Sequence, residues 1–311
     1  MVEIIQGDCL KSLRNLAPKS VNTCVTSPPY FGLRDYGADG QMGLEETPEE
    51  FVENLVKVFR EVKRVLRDDG TVWLNLGDSY AGPKGNNRGE GAGGGQKRGE
   101  LMGFGNIKTK VPHGLKTKDL IGIPWRVAFA LQQDGWYLRQ DIIWHKPNPM
   151  PESVRDRCTK SHEYIFLLSK SKKYYYDNEA IKEPVKKDWG IRDRTNGKYH
   201  NKGSGLSPHT GLTKSYEKRN KRSVWTVTTK SFKGAHFAVF PMDLIEPCVL
   251  AGCPEGGTVL DPFGGSGTTG LVAQNNNRNA ILLELNPEYI EIAESRLYPK
   301  QRDFLKEGVV A

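Results

Sequence analysis

Three features of the sequence predict an α/β fold built on one mostly parallel sheet with helices on both faces. Short apolar runs of strand length alternate with longer segments of helical periodicity. Near the C-terminal end, one strand runs into a glycine-rich turn and out into a helix, over Thr258 to Gly270. No internal repeat is visible, and no apolar run approaches the ~18 residues that a membrane-spanning helix needs. The 311 residues suffice for one domain of roughly 200–250 residues and a smaller appendage. Mean hydropathy is −0.57, so the exterior must be very polar. The first eight residues, Met1 to Asp8, lack the basic and apolar stretches of a secretory signal, and the chain is expected to be soluble and cytoplasmic.

Taken in order, Val2–Ile5 and Asn22–Thr26 read as short buried strands. The second must stop at Pro28 and Pro29, because proline cannot donate to a ladder. A helix follows: Thr47 is its N-cap, Pro48 its first residue, and Glu50 completes a capping box. Phe51, Leu55, Val58, Val62 and Leu66 recur at helical spacing as one apolar stripe up to Asp68–Gly70. Thr71–Leu76 is again strand-like. Ala81–Leu115 holds 11 of the 34 glycines and few apolar residues, which predicts a flexible loop. Asp119–Gln133 reads as a helix burying Ile123, Val127 and Leu131. Tyr137–Trp144 and Glu163–Leu168 read as strands separated by an irregular, proline-rich segment from Lys146. After a region without periodicity come a helix at Pro241–Leu250, a strand at Thr258–Leu260 and a helix at Thr268–Gln274. A last strand at Ala280–Glu284 precedes a helix that starts after Asn286 and carries Ile290, Ala293 and Leu297.

The five cysteines, Cys9, Cys24, Cys158, Cys248 and Cys253, form no metal-type pair and are expected to be buried, reduced thiols. No metal is expected. Charge is more informative. The formal net charge is +8, and Lys182–Lys233 alone carries 14 Lys or Arg against 4 Asp or Glu, so the rest of the chain is slightly acidic. A polyanion-binding region is therefore predicted at 182–233, with Arg192, Arg194, Lys218, Arg219, Lys221 and Arg222 as phosphate contacts among Trp189, Tyr199, Tyr216 and Trp225.

Two constellations carry chemistry. In the strand–turn–helix at Thr258–Gly270, Gly265, Gly267 and Gly270 satisfy G-x-G-x-x-G, and Glu284 ends the next strand 19 residues beyond Gly265. Glycines let a nucleoside approach the backbone, and the acid can hold both ribose hydroxyls. Thr268 directly follows Gly267 with no lysine between, which disfavours ATP or GTP, and the chain leaves no room for the second half-site of NAD. S-adenosylmethionine, which carries a sulfonium and an amino-acid tail instead of a pyrophosphate, fits better. The second constellation is Ser27-Pro28-Pro29-Tyr30, at the end of a buried strand and hence at the edge of the sheet where ligands bind. An exocyclic amine on a base is a poor nucleophile, because its lone pair is delocalised into the ring. Two acceptors that take its two hydrogens draw the nitrogen toward tetrahedral geometry. The Ser27 hydroxyl and the Pro28 carbonyl, in a loop stiffened by Pro29, can be those acceptors, and Tyr30 can stack on a base brought out of the duplex.

Together, Ser27 to Tyr30 and the run Asp261-Pro262-Phe263-Gly264-Gly265-Ser266-Gly267-Thr268-Thr269 resemble the motif pair of the amino-DNA-methyltransferases, which modify cytosine N4 or adenine N6. The catalytic motif precedes the cofactor motif, with a basic region between, an order similar to the circularly permuted β class. The resemblance implies a Rossmann-like S-adenosylmethionine-dependent methyltransferase fold. Residues 1–181 would form its catalytic half, 182–233 the target-recognition region, and 234–311 the cofactor-binding half. It implies that Asp261, Phe263, Gly265, Ser266, Gly267, Thr268 and Glu284 hold S-adenosylmethionine. Asp8 would lie near the adenine, and Phe240 and Pro241 would line the methionine end. Asp141 to Pro149 would flank the base pocket, with His145 structural, since solvent can take the leaving proton. Family members that act on cytosine usually carry Ser at the first catalytic position and adenine enzymes Asp, so Ser27 favours cytosine N4. The implied partner is double-stranded DNA, and the resemblance allows a homodimer and a cognate restriction endonuclease. The residues leave open an RNA or protein-amide substrate and a catalytically silent DNA-binding module.

Overall fold

The computed structural model describes residues 1–35, 37–38, 40–82, 111–185, 217–229 and 240–299. They form two compact units: one comprises 1–177 and the chain from 223 onward, the other Asn178–Arg222. The larger unit is an eight-stranded sheet. Its strands are β1 (Val2–Gln6), β2 (Val21–Thr26), β3 (Leu66–Leu76), β4 (Tyr137–His145), β5 (His162–Ser169), β8 (Val224–Thr226), β9 (Thr258–Asp261) and β10 (Asn279–Glu284). The spatial order is β1-β10-β9-β2-β3-β5-β4-β8. Every neighbouring pair is parallel except the two made by β5, which runs against both β3 and β4. The smaller unit contains the two-residue ribbon of β6 (Glu183–Pro184) and β7 (Lys218–Arg219), paired antiparallel.

Helices cover both faces. On one lie α1 (Cys9–Asn15), α2 (Pro48–Val65) and α3 (Ile123–Gln133), packed over the side of the sheet carrying Cys24, Val72, Leu74, Phe166, Leu260 and Leu283. Side chains alternate along a strand, so Val25 and Trp73 face the other way. On that side α4 (Met242–Gly252) packs on β2 and β3, α5 (Thr268–Asn275) on β9 and β10, and α6 (Pro287–Leu297) on β1 and β10. The start of α2 matches its sequence signal: the Thr47 hydroxyl accepts the Glu50 N–H at 3.1 Å, a cap worth about 1 kcal/mol. Phe51, Leu55, Val58 and Val62 are fully buried.

Several expectations needed correction. The α2 stripe ends at Val65, not at Gly70. Leu66 already pairs with Val21 on β2, and Arg67–Gly70 bulge out before pairing resumes at Thr71 with Thr23. Helix α1 had no strong sequence signal; the Asp8 carboxylate nucleates it by accepting the Lys11 N–H at 2.9 Å. Helix α3 starts at Ile123 rather than Asp119. Asp119 instead closes a turn by accepting the Lys116 N–H, while Asp78, distant in sequence, accepts the N–H groups of Gly122 and Ile123. Val224–Thr226 is not part of the appendage but pairs with β4 at the sheet edge, with Trp225 buried. Cys158 is exposed and Cys9 only partly buried, contrary to the expectation of five buried thiols. Most of the glycine-rich stretch, residues 83–110, lies outside the described residues. Among the described residues no helix is long and apolar enough to cross a membrane.

Phe51 packs against Phe31 with ring centroids 5.7 Å apart and no solvent exposure. Phe51→Ala should cost about 3–5 kcal/mol, a large part of a typical ~5–15 kcal/mol stability, seen as a lower denaturation midpoint.

Candidate functional site: a cleft at the carboxyl ends of four parallel strands

Strands β1, β10, β9 and β2 are mutually parallel neighbours, so their carboxyl ends open on one edge of the sheet. The chain proceeds outward from β9 to β10 on one side and from β2 to β3 on the other. The cleft between is the kind of crevice where open α/β sheets bind ligands. It is lined by Gly7 and Asp8 after β1, Ser27 and Pro29 after β2, Asp261 to Gly265 after β9, and Glu284 to Asn286 after β10, with Phe240, Ser266, Thr268 and Tyr289. Its empty volume, counting the space open to solvent at its mouth, is about 900 Å³.

Asp261 ties the two sequence constellations together. Its carboxylate, 1% exposed, accepts the Thr26 hydroxyl at 2.6 Å, the Thr269 hydroxyl at 2.6 Å and the Phe263 N–H at 3.0 Å. Burial pushes its pKa up, and these three donors act in the opposite direction. Thr26 immediately precedes Ser27, so one buried carboxylate fixes the serine corner to the glycine-rich turn.

Glu284 shapes the other wall. It accepts the Gly265 N–H at 2.7 Å and the Asn286 N–H at 2.8 Å. Burial raises its pKa above the ordinary 4.5, against the opposing effect of the backbone donors. The turn itself requires glycine at Gly267: its φ is +77°, and a Cβ there would lie 2.9 Å from the Ala293 Cβ. The hydroxyls of Ser266 and Thr268 both receive hydrogen bonds from Arg296, at 2.8 and 3.0 Å. Arg296 thereby braces the turn from α6, a role the sequence reading missed.

The serine corner occupies the wall opposite Glu284. Ser27 and Pro29 line the cleft, whereas Pro28 is buried. The Tyr30 hydroxyl donates toward Glu163 Oε2 at 2.8 Å and Asn75 Oδ1 at 3.2 Å, and Glu163 in turn pairs with Lys146. Asn75 and Glu163 were not predicted, whereas Lys146 lies within the Asp141–Pro149 segment expected to flank the base pocket. The available signal was Asn75, a polar residue interrupting the apolar run of β3; Glu163, at the start of β5, offered none. His145 shares a hydrogen bond with the Thr226 hydroxyl at the end of β8. Cys9 also lines the cleft, but burial foremost, then the Asp8 charge, pushes its thiol up to about 12, far from a thiolate nucleophile. Pro241 is the N-cap residue of α4 and does not line the cleft.

Residues 21–295 match the model of the DNA methylase family. The protein belongs to that family. This DNA methylase is 50% identical over 303 residues to the Type II methyltransferase M.Cfr9I of Citrobacter freundii, covering 97% of this chain and 90% of the relative. It is 48% identical over 295 residues to M.SmaI of Serratia marcescens, covering 95% and 90%. Among solved structures, PvuII DNA methyltransferase (cytosine-N4-specific) superposes with a TM-score of 0.65 at 18% identity, covering 98% of this chain and 90% of that one. A putative DNA modification methylase from Thermus thermophilus, complexed with S-adenosyl-L-methionine, gives 0.60 at 22% identity, covering 96% and 94%. The protein is thus an S-adenosylmethionine-dependent Type II DNA methyltransferase of the N4/N6 amine-modifying group.

The cleft of the DNA methylase suits that cofactor. Three carboxylates line it, from Asp8, Asp261 and Glu284, and among the described lining residues there is no lysine or arginine. Such a lining favours a sulfonium cation and disfavours a pyrophosphate. In the smaller unit, Arg219 and Arg222 both donate to Glu183, at 2.9 and 2.7 Å, while Lys218 is exposed and Lys221 partly so. Burial opposes them, yet the two arginines hold the Glu183 carboxyl below its ordinary value. Arg192 and Arg194 lie outside the described residues.

A Cβ on Gly77 would come within 2.5 Å of Tyr30 Cε2. Gly77→Ala should displace that ring and slow methyl transfer about 100-fold, the effect of a ~1 Å misplacement, with cofactor affinity unchanged. Labelled-methyl transfer and equilibrium dialysis measure the two quantities.

Proposed function

We propose that this DNA methylase transfers a methyl group to the exocyclic N4 amine of cytosine, at a specific sequence in duplex DNA, after the base has left the stack. The observation that carries this reading is Ser27, at the head of the catalytic motif and in one cleft with Glu284 and the glycine-rich turn. Bound S-adenosylmethionine supplies an electrophilic methyl group. Glu284 would accept the ribose hydroxyls, and the Phe263–Gly265 backbone would let the ligand approach closely. Asp8 would hold the adenosine end and Phe240 the methionine end. Ser27 Oγ and the Pro28 carbonyl each accept one hydrogen of the amine, which localises its lone pair toward the methyl group. The Tyr30 ring supports the flipped base, and the displaced proton leaves to solvent. No covalent bond between enzyme and base is required, in keeping with the high pKa of Cys9.

The Asn178–Arg222 unit would carry sequence recognition. Its lysines and arginines, Arg192, Arg194, Lys218, Arg219, Lys221 and Arg222 among them, neutralise phosphates and fix register on the duplex, while base edges are read by neighbouring side chains. The enzyme would act on cytoplasmic DNA beside a nuclease of matching specificity.

Digesting methylated DNA to nucleosides and weighing the product tests the assignment: N4-methylcytosine is expected, and N6-methyladenine would overturn it. Ser27→Ala should keep cofactor affinity and lose about 100-fold or more in turnover, since an acceptor present only for the reacting amine is removed. Wild-type turnover in that variant would refute the role.

Glu284 gives a pH dependence. Its folded pKa is raised, so in the free enzyme its stability contribution is complete below the unfolded value of 4.5 and lost as pH rises through the folded value. Cofactor binding needs the carboxylate and runs oppositely. Calorimetric affinity for S-adenosylmethionine should fall on acidification with a midpoint above 4.5, and Glu284→Gln should flatten that profile.

A further inference from the structure

Behind the Ser27–Tyr30 corner runs a chain of hydrogen bonds with a fixed direction. Asn75 Nδ2 donates to the Tyr164 carbonyl at 3.0 Å, and a carbonyl can only accept. The amide orientation is thereby set, and Asn75 Oδ1 is the atom that faces the Tyr30 hydroxyl at 3.2 Å. Glu163 Oε2 lies 2.8 Å from the same hydroxyl, and its other oxygen is ion-paired with Lys146. Both side chains of this pair are largely buried, at 14% and 19% exposure, and an ion-paired carboxylate oxygen only accepts. Asn75 and Glu163 thus both demand the Tyr30 hydrogen. The Tyr30 oxygen is left to accept on the side where Ser27 Oγ lies, 3.5 Å away.

We propose that the Glu163–Lys146 pair is a positioning device for methyl transfer. By drawing the Tyr30 hydrogen to itself, it turns the Ser27 hydrogen toward Tyr30 and leaves the Ser27 lone pairs facing the substrate amine. A serine hydroxyl can donate or accept, so a serine at this position needs its polarity set by its surroundings, whereas a carboxylate there would accept regardless. No bond to hydrogen breaks in this arrangement; only the orientation of two hydroxyls is fixed. The inference rests on the acceptor role proposed for Ser27.

The test is a cycle on the full-length enzyme, using labelled S-adenosylmethionine, unmethylated mixed-sequence duplex DNA and enzyme in excess over sites. Glu163→Gln keeps the size of the side chain but brings an amide donor. Lys146 attracts the amide oxygen, so the NH2 faces Tyr30 and competes with Ser27 for its oxygen. The single-turnover rate should fall about tenfold, the worth of one hydrogen bond, with cofactor affinity at the wild-type level. Tyr30→Phe removes the relay and keeps the ring, and adding Glu163→Gln to it should cost nothing more. The proposal is overturned if Glu163→Gln transfers at the wild-type rate, weakens cofactor binding, or costs the same factor in both backgrounds. Ser27→Ala separates the two levels. If it transfers at full rate, the acceptor role itself fails; if it is inactive while Glu163→Gln is unimpaired, only the relay fails.

Discussion

The structure depends most on one buried carboxylate. Asp261 is almost wholly removed from water, and burial alone would drive it toward its neutral form. Three donors converge on it, from Thr26, Thr269 and the Phe263 backbone, and hold the end of β2, the start of α5 and the glycine-rich turn to one another. Removing a donor from a buried charge costs more than an ordinary hydrogen bond, because the charge stays behind uncompensated. The need for such a tie follows from the chemistry. Direct transfer between two bound molecules requires donor and acceptor atoms in line at contact distance, and misplacement by about 1 Å can cost two orders of magnitude in rate. Ser27, the serine proposed to meet the base, is the next residue after Thr26, so the tie acts at the shortest possible lever arm.

The electrostatics of the cleft complement this rigidity. Strand–glycine–helix turns often receive phosphates, whose negative charge suits the free N–H groups of a helix start. Here that preference is countered by Asp8, Asp261 and Glu284, and the nearby cation, Arg296, is engaged by Ser266 and Thr268. The same backbone geometry is therefore retuned from a phosphate cradle to a site for a nucleoside with a positively charged sulfur. Glu284 accepts two backbone N–H groups, so the orientation of its carboxylate in the cleft is fixed by the chain itself.

Much of this was legible in the sequence because it was local. Thr47 and Asn286 cap helices through residues two or three positions away, and apolar spacing located the helices other than α1 and most strands. The serine–proline corner and the glycine turn were recognisable because each is a contiguous run whose backbone demands those residue types. What escaped were contacts between side chains far apart in sequence. Thr26 and Asp261 are 235 positions apart, and Asp78 caps a helix that begins 45 positions later. Glu163 reaches Tyr30 only because β5 reverses direction beside β3, a pairing that period-two alternation cannot reveal. The early end of α2 and the sheet membership of Val224–Thr226 escaped for the same reason: each is decided by a partner strand.

The insertion of the basic unit follows from the sheet's topology. The chain leaves the larger unit after Asp177, whose N–H donates to Ala251, and re-enters at Ser223, whose carbonyl accepts the Ile143 N–H. Both exits are pinned by main-chain hydrogen bonds, so the core does not depend on what lies between them. Closing a longer or shorter insertion there changes the loop entropy only logarithmically, by about 0.6 kcal/mol per doubling. With the recognition role proposed for residues 178–222, a fold arranged this way could vary the DNA sequence it reads while the Asp261 tie and the serine corner stay fixed, which would separate specificity from catalysis.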